Sequence, residues 1–324
     1  MPTATVNGIT IAYEEKGEGR PLLLIMGLGG QLTDWPPALV DLLAERFRVV
    51  LFDNRDIGLS SQSSSPVPSR WAMFWATMTR RRPSSAYQLS GMADDTAGLL
   101  DHLGIGAAHL VGISMGGMIG QQLAIDHPTR VASLTSIMSS TGDPKVGRAA
   151  PSLLLKLAFR RPPPAGTPVE EVVDQAVELY RLLAGPGTDV EAYRDLARIS
   201  IQRSYRPEGA ARQLVAVQAS PDRTAALARV GAPTLVVHGI VDPLVRYDGG
   251  VATASAIPGS RLLMFPDMGH DLPRGRMVEL VEAVAANADR ATAAPVPPRA
   301  IPSPAEPAAR TTILGRVRSA PWRR

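Results

Sequence analysis

Five short apolar runs constrain this chain more than any other feature. They are PLLLIMG (Pro21–Gly27), RVVLFD (Arg48–Asp53), AAHLVG (ending at Gly112), RVASLTSIM (from Arg130) and APTLVVHG (Ala232–Gly239). A strand with one wet face alternates apolar and polar residues, whereas a nearly continuous apolar run belongs to a strand covered on both faces. Helix-patterned segments separate the runs: Trp35–Arg46, Asp95–Leu103, the stretch after Ser114, Gly249–Ala256 and RMVELVEAVAANA. RLLMF (Arg261–Phe265) reads as a last strand, and Asn7-Gly8 as the turn of an N-terminal hairpin, TATVNGITIAYEEKG. Such alternation predicts an α/β fold, a mainly parallel sheet with helices on both faces.

The rhythm breaks between about Gly142 and Pro221, where proline-punctuated helical segments run without a convincing strand. The expected organisation is therefore a first core part at 1–141, a helical cap insertion at 142–221, a second core part at 222–289 and a tail at 290–324. A second irregular stretch places Trp71, Phe74, Trp75 and Met78 on one helical face, with Arg80, Arg81 and Arg82 at its end. It reads either as a flap that admits an apolar substrate or rests on a membrane surface, or as aromatics packed beneath the insertion.

Composition sets limits on partners and compartment. The absence of cysteine excludes disulfides, thiolate nucleophiles and cysteine-based metal sites. No basic n-region followed by an apolar h-region opens the chain, and no apolar run is long enough to span a bilayer, so a cytoplasmic location is expected. The net charge of +4 invites a nucleic-acid reading. However, the tail from Arg290 holds seven arginines and one glutamate, and subtracting its +6 leaves −2 for the rest. The Pro/Ala/Arg-rich tail is expected to be disordered, either solubilising or in weak contact with an anionic membrane surface. No nucleic-acid partner is expected.

The chemistry-bearing residues cluster where strands end. Gly112-Ile113-Ser114-Met115-Gly116 sits where an apolar strand gives way to helical spacing, so Ser114 falls on a cramped turn flanked by Gly112 and Gly116. The Met115 amide then lies at a helix N-terminus, aimed at developing negative charge. A serine needs a base, and the base needs an orienting group. Of five histidines, His102, His109 and His127 sit at element ends and His238 within an apolar strand, whereas His270 lies in a glycine-bearing loop after RLLMF. Asp242 follows the strand TLVVHG at the same expected edge. Asp267 and Asp271 flank His270 too closely for easy bonding to its ring, and Asp248 lies further into the next element. The glycine-rich loop after PLLLI, MGLGGQLTDW, supplies a second oxyanion donor, the backbone N–H of Leu28, with Met115 as its partner.

With these residues in view, the chain from about 5 to 288 resembles the α/β-hydrolase family. It looks most like actinobacterial esterases related to aclacinomycin methylesterase, through LLLIMGLGGQLTDWP, VVLFDNRDIGLSS, HLVGISMGG and MGHDLP. LFDNRDIGLSS resembles the family's Asp-x-Arg-Gly-x-Gly-x-Ser turn, with Asp56 where glycine is usual. Met26 stands where a His-Gly oxyanion signature is common. The resemblance implies a Ser114–Asp242–His270 triad cleaving the ester bond of a small or medium-sized apolar molecule, with no metal and no organic cofactor. Thioester or carbon–carbon bond hydrolysis, lipase action and perhydrolysis could run on the same triad. A ligand sensor with little turnover is the alternative of another class.

Overall fold

The computed structural model describes residues 1–67 and 82–291. The aromatic segment Trp71–Met78, Arg80, Arg81 and the tail beyond Ala291 lie outside the described residues. Eight strands form one sheet: β1 (Thr3–Val6), β2 (Ile9–Lys16), β3 (Arg20–Ile25), β4 (Phe47–Phe52), β5 (Ala108–Ile113), β6 (Val131–Ile137), β7 (Thr234–Gly239) and β8 (Arg261–Phe265). Their spatial order is β1-β2-β4-β3-β5-β6-β7-β8. The β1/β2 and β2/β4 pairs are antiparallel and the rest parallel. The hairpin turn is Asn7-Gly8, both with positive φ (48° and 77°), as a type I′ turn requires.

The described helices, in chain order, are α1 (Pro37–Ala44), α2 (Leu89–His102), α3 (Met115–Asp126), α4 (Pro151–Phe159), α5 (Val169–Leu183), α6 (Val190–Arg203), α7 (Pro207–Ala219), α8 (Thr224–Leu227), α9 (Asp248–Ala256) and α10 (Met277–Asp289). Two separate cores explain why the strands are apolar throughout. Leu23 and Ile25 of β3 point into one, with residues of α2 and α3; Leu22 and Leu24 point into the other, with residues of α1 and α10. The period-2 geometry of a strand thus sends neighbouring leucines to opposite layers, each burial contributing roughly 1.5–3 kcal/mol. Five described helices, α4 to α8, lie between β6 and β7, the first four of them within residues 142–221. Among the described residues no helix is long and apolar enough to cross a membrane.

The largest boundary difference from the sequence reading is in α2; the others are within about two residues. Helix α2 begins at Leu89 rather than Asp95, without a side-chain cap from Gln88. Its first amide, Leu89 N–H, donates instead to Ser220 Oγ at 2.9 Å, just past the end of α7. A cap borrowed from a residue 131 positions away leaves no local signal.

Candidate active site

The parallel strands end on one edge of the sheet, and three of the loops there carry the predicted residues. Ser114 sits between β5 and α3 with φ 52° and ψ −118°, a region that a non-glycine residue rarely occupies and that costs about 1–3 kcal/mol. The turn is closed by lack of space. A Cβ on Gly112 would lie 2.3 Å from Gly116 O, and one on Gly116 only 1.9 Å from Ile25 O. Glycine at both positions lets the helix start hard against β3 and β5, which lifts Ser114 out at the edge.

His270 meets Ser114 across the edge, its Nε2 3.0 Å from Ser114 Oγ. Its Nδ1 is 2.8 Å from Asp242 Oδ2. An ionised carboxylate can only accept, so Nδ1 carries the proton and Nε2 offers its lone pair to the serine hydroxyl. The other oxygen of Asp242 accepts from Leu244 N–H (2.8 Å) and Val245 N–H (2.9 Å), which fixes the carboxylate plane. Burial pushes the Asp242 carboxyl upward, but the two imidazoles facing it, His238 and His270, outweigh this and hold it below the usual carboxylate range. His238 lies beneath, fully buried in β7, 3.6 Å from Asp242 Oδ2. Its Nε2–H donates to Val245 O at 2.7 Å, so this imidazole holds the loop that carries the acid.

The glycine-rich loop after β3 runs directly over the serine. A Cβ built on Gly27 would be 3.3 Å from Ser114 Cβ. Gly29 N–H donates to Gln213 Oε1 (2.9 Å) and Gly30 N–H to Gly27 O (3.2 Å). The Leu28 and Met115 amides have no acceptor among the described residues. Met26, the departure from the His-Gly signature, is buried and fills the space beside Gly30. Among the described residues, no group of three or more His, Asp or Glu side chains is placed to hold a metal ion.

Sequence reasoning did not find the residues that grip these loops from the side. Asp271, set aside as an orienting acid, turns away from the ring toward the segment after α5. It accepts from Gly185 N–H (3.0 Å), Gly269 N–H (2.9 Å) and the Thr188 hydroxyl (2.6 Å). His270 N–H donates to Leu183 O at 2.8 Å, and Gly185 and Gly269 pack so closely that neither tolerates a Cβ. Asp267 pairs with Arg276 instead.

The Asp53 turn works similarly on the other side. Its buried carboxylate accepts from Leu32 N–H (2.9 Å) and Leu59 N–H (2.8 Å) and meets Arg203 of α6 at 2.8 Å. Asp56, where the family motif has glycine, keeps the glycine-like φ of 74°. Its buried carboxylate binds Arg212 of α7 (3.0 Å), the Tyr87 hydroxyl (2.6 Å) and Ser63 N–H (2.7 Å). An unexpected aspartate in a glycine position was the one available hint.

Comparison with known proteins agrees with this architecture. Rhodomycin D methylesterase DauP of Streptomyces sp. is 29% identical over 315 residues, covering 90% of this chain and 100% of the relative. Rhodomycin D methylesterase DnrP of Streptomyces peucetius is 29% identical over 317 residues, again with 90% and 100% coverage. Among solved structures, a thermophilic esterase from Thermogutta terrifontis superposes with a TM-score of 0.65 at 26% identity, over 90% of this chain and 98% of that one. The family model for the alpha/beta hydrolase fold matches residues 20–273. With that match running from β3 through the His270 loop, the chain belongs to the α/β-hydrolase family.

Proposed function

We propose that this chain is a serine hydrolase that cleaves carboxylic esters of small or medium-sized apolar substrates through an acyl-enzyme. The observation that carries the reading is the relay of two contacts, 3.0 Å from Ser114 Oγ to His270 Nε2 and 2.8 Å from His270 Nδ1 to Asp242 Oδ2. In the first step Ser114 Oγ attacks the ester carbonyl as its proton passes to His270 Nε2. The imidazolium is stabilised by Asp242, whose depressed titration keeps it ionised. The Leu28 and Met115 amides hold the oxyanion, and the proton on Nε2 then leaves with the alcohol. Water, deprotonated by the same nitrogen, attacks the acyl-enzyme and regenerates the serine.

The substrate class is supported by two observations. Leu28, Ile240 and Val241 are exposed apolar side chains on loops that bear the site, suited to an apolar acyl or alkyl group. Two relatives aligned over their whole length are named methylesterases. Residues 142–221 act as the cap over this edge.

The test is hydrolysis of a chain-length series of p-nitrophenyl esters by the wild type and Ser114→Ala. The variant is expected to fall to near background with an unchanged melting temperature, and retention of most activity would eliminate the mechanism. Preference for short acyl chains is expected; activity that rises with chain length and with lipid interfaces would move the assignment to a lipase.

A further inference from the structure

Gln213 is a fully buried polar side chain in the middle of α7, on the insertion, and no step of the reaction uses it. A buried amide is costly unless both ends are paired, and both are. Its Oε1 accepts from Gly29 N–H at 2.9 Å and its Nε2 donates to Arg55 O at 2.8 Å, so the side chain ties the loop after β3 to the loop after β4. The surrounding helix presses on the same two loops. Gly209 lies so close that a Cβ there would be 2.0 Å from Asp56 O, and one built on Gly29 would be 3.3 Å from Ala210 Cβ.

These contacts leave one amide of the loop unengaged. Of the consecutive N–H groups at 28, 29 and 30, Gly29 is engaged by Gln213 and Gly30 by Gly27 O, while Leu28 has no acceptor among the described residues. Gly29 has φ +75°, so the chain reverses there, and its capture from the insertion side fixes the peptide immediately before it. Resting on the proposed esterase reading, we infer that Gln213 is a positioning residue for the oxyanion hole. By holding Gly29 N–H it aims Leu28 N–H at the oxyanion of the tetrahedral intermediate, so the cap forms part of the catalytic scaffold.

The experiment compares the wild type, Gln213→Leu and Gln213→Glu on a short-chain p-nitrophenyl ester, with a trifluoromethyl ketone as mimic of the tetrahedral intermediate. Loss of one oxyanion donor costs about 10²–10³ in rate, so a misaimed donor in Gln213→Leu is expected to cost about 10- to 100-fold in kcat with KM little changed. Affinity for the ketone should fall by the same factor as kcat/KM. A neutral glutamic acid can accept from Gly29 N–H and donate to Arg55 O, whereas its anion places charge beside the oxyanion. The activity of Gln213→Glu relative to wild type should therefore decline as pH rises, a readout that remains if Gln213→Leu does not fold. Unchanged kcat and ketone affinity in a Gln213→Leu protein with a lowered melting temperature would reduce Gln213 to a structural role, as would a pH-independent ratio for Gln213→Glu. Failure of the underlying reading is separate: the wild type itself would then show no turnover and no labelling of Ser114 by a fluorophosphonate.

Discussion

Alanine substituted at Gly116 and at Gly120, one turn apart on α3, should give different outcomes. In an unobstructed helix interior both changes stabilise by about 0.8–1 kcal/mol, because glycine is the poorer helix former. What the new methyl meets decides the sign. At Gly116 it would lie 1.9 Å from Ile25 O and 2.8 Å from Met26 O, both main chain. Normal carbon contacts begin near 3.5 Å, so the end of β3 must move by roughly 1.5 Å. Overpacking typically costs about 1–3 kcal/mol and occasionally more. An obstacle made of central-strand backbone belongs at the top of that range, leaving a net loss of about 2 kcal/mol and, for a chain of this length, a fall in melting temperature of about 3 °C. The displaced residues lead straight into Gly27 and Leu28, and a 1 Å misplacement of reacting groups can cost about 10²-fold in rate. At Gly120 the nearest atom is Leu134 Cδ1 at 2.9 Å, the far end of a side chain that can rotate. Gly120→Ala is therefore expected within about 1 kcal/mol of the wild type, with activity retained. Thermal melts and p-nitrophenyl ester kinetics on the pair provide the check. A Gly116→Ala enzyme with wild-type melting temperature and turnover would refute the steric account of the serine turn, as would equal damage at both positions.

Removing the Asp271 carboxylate by Asp271→Ala leaves Gly185 N–H and Gly269 N–H without their acceptor, at about 1–3 kcal/mol each. Denaturant titration should show a loss of about 3 kcal/mol, with Asp271→Asn losing less because its carbonyl still accepts. Asp56→Gly relieves a positive-φ residue by about 1 kcal/mol but strips Arg212 of its buried partner, which costs about 3–5 kcal/mol. Net destabilisation of about 2–4 kcal/mol is expected in urea, and a gain in stability would contradict it. His109 is held at about 4 by burial, with Arg20 nearby acting in the same direction, against 6.5 when unfolded. The unfolded chain therefore binds the extra proton first, and stability should drain away as pH falls from 6.5 toward 4, by about 3 kcal/mol. A His109→Gln protein measured by denaturation over that window should show a flatter profile.

Much of this molecule was legible in one dimension because its strongest signals are local. Uninterrupted apolar runs become strands covered on both faces, and Leu22 to Ile25 show why: adjacent side chains feed two different cores. A serine between glycines, at a change of hydrophobic period, marked a tight strand-to-helix turn. A histidine and an aspartate, each in the loop after a strand, had to emerge at the same edge of a parallel sheet. Those inferences need only the geometry of strands, helices and crossovers. Hence Ser114, Asp242 and His270 could be named before any coordinates, and the structure puts His270 within hydrogen-bonding distance of the other two.

The tertiary structure alone decided what grips those loops. Gly29, Asp56 and Asp271 each have a partner 184, 156 or 86 residues away, on helices and turns between β6 and β7. The cap on Leu89 is likewise supplied from position 220. Glutamine and aspartate are ordinary surface residues in composition, and apart from Asp56 standing where the family motif has glycine, nothing in their neighbourhoods announces burial. Sequence periodicity records which face of an element is apolar, because that depends on the element itself. It does not record which distant backbone amide meets a given carboxamide, because that depends on how the helices between β6 and β7 are set down on the sheet.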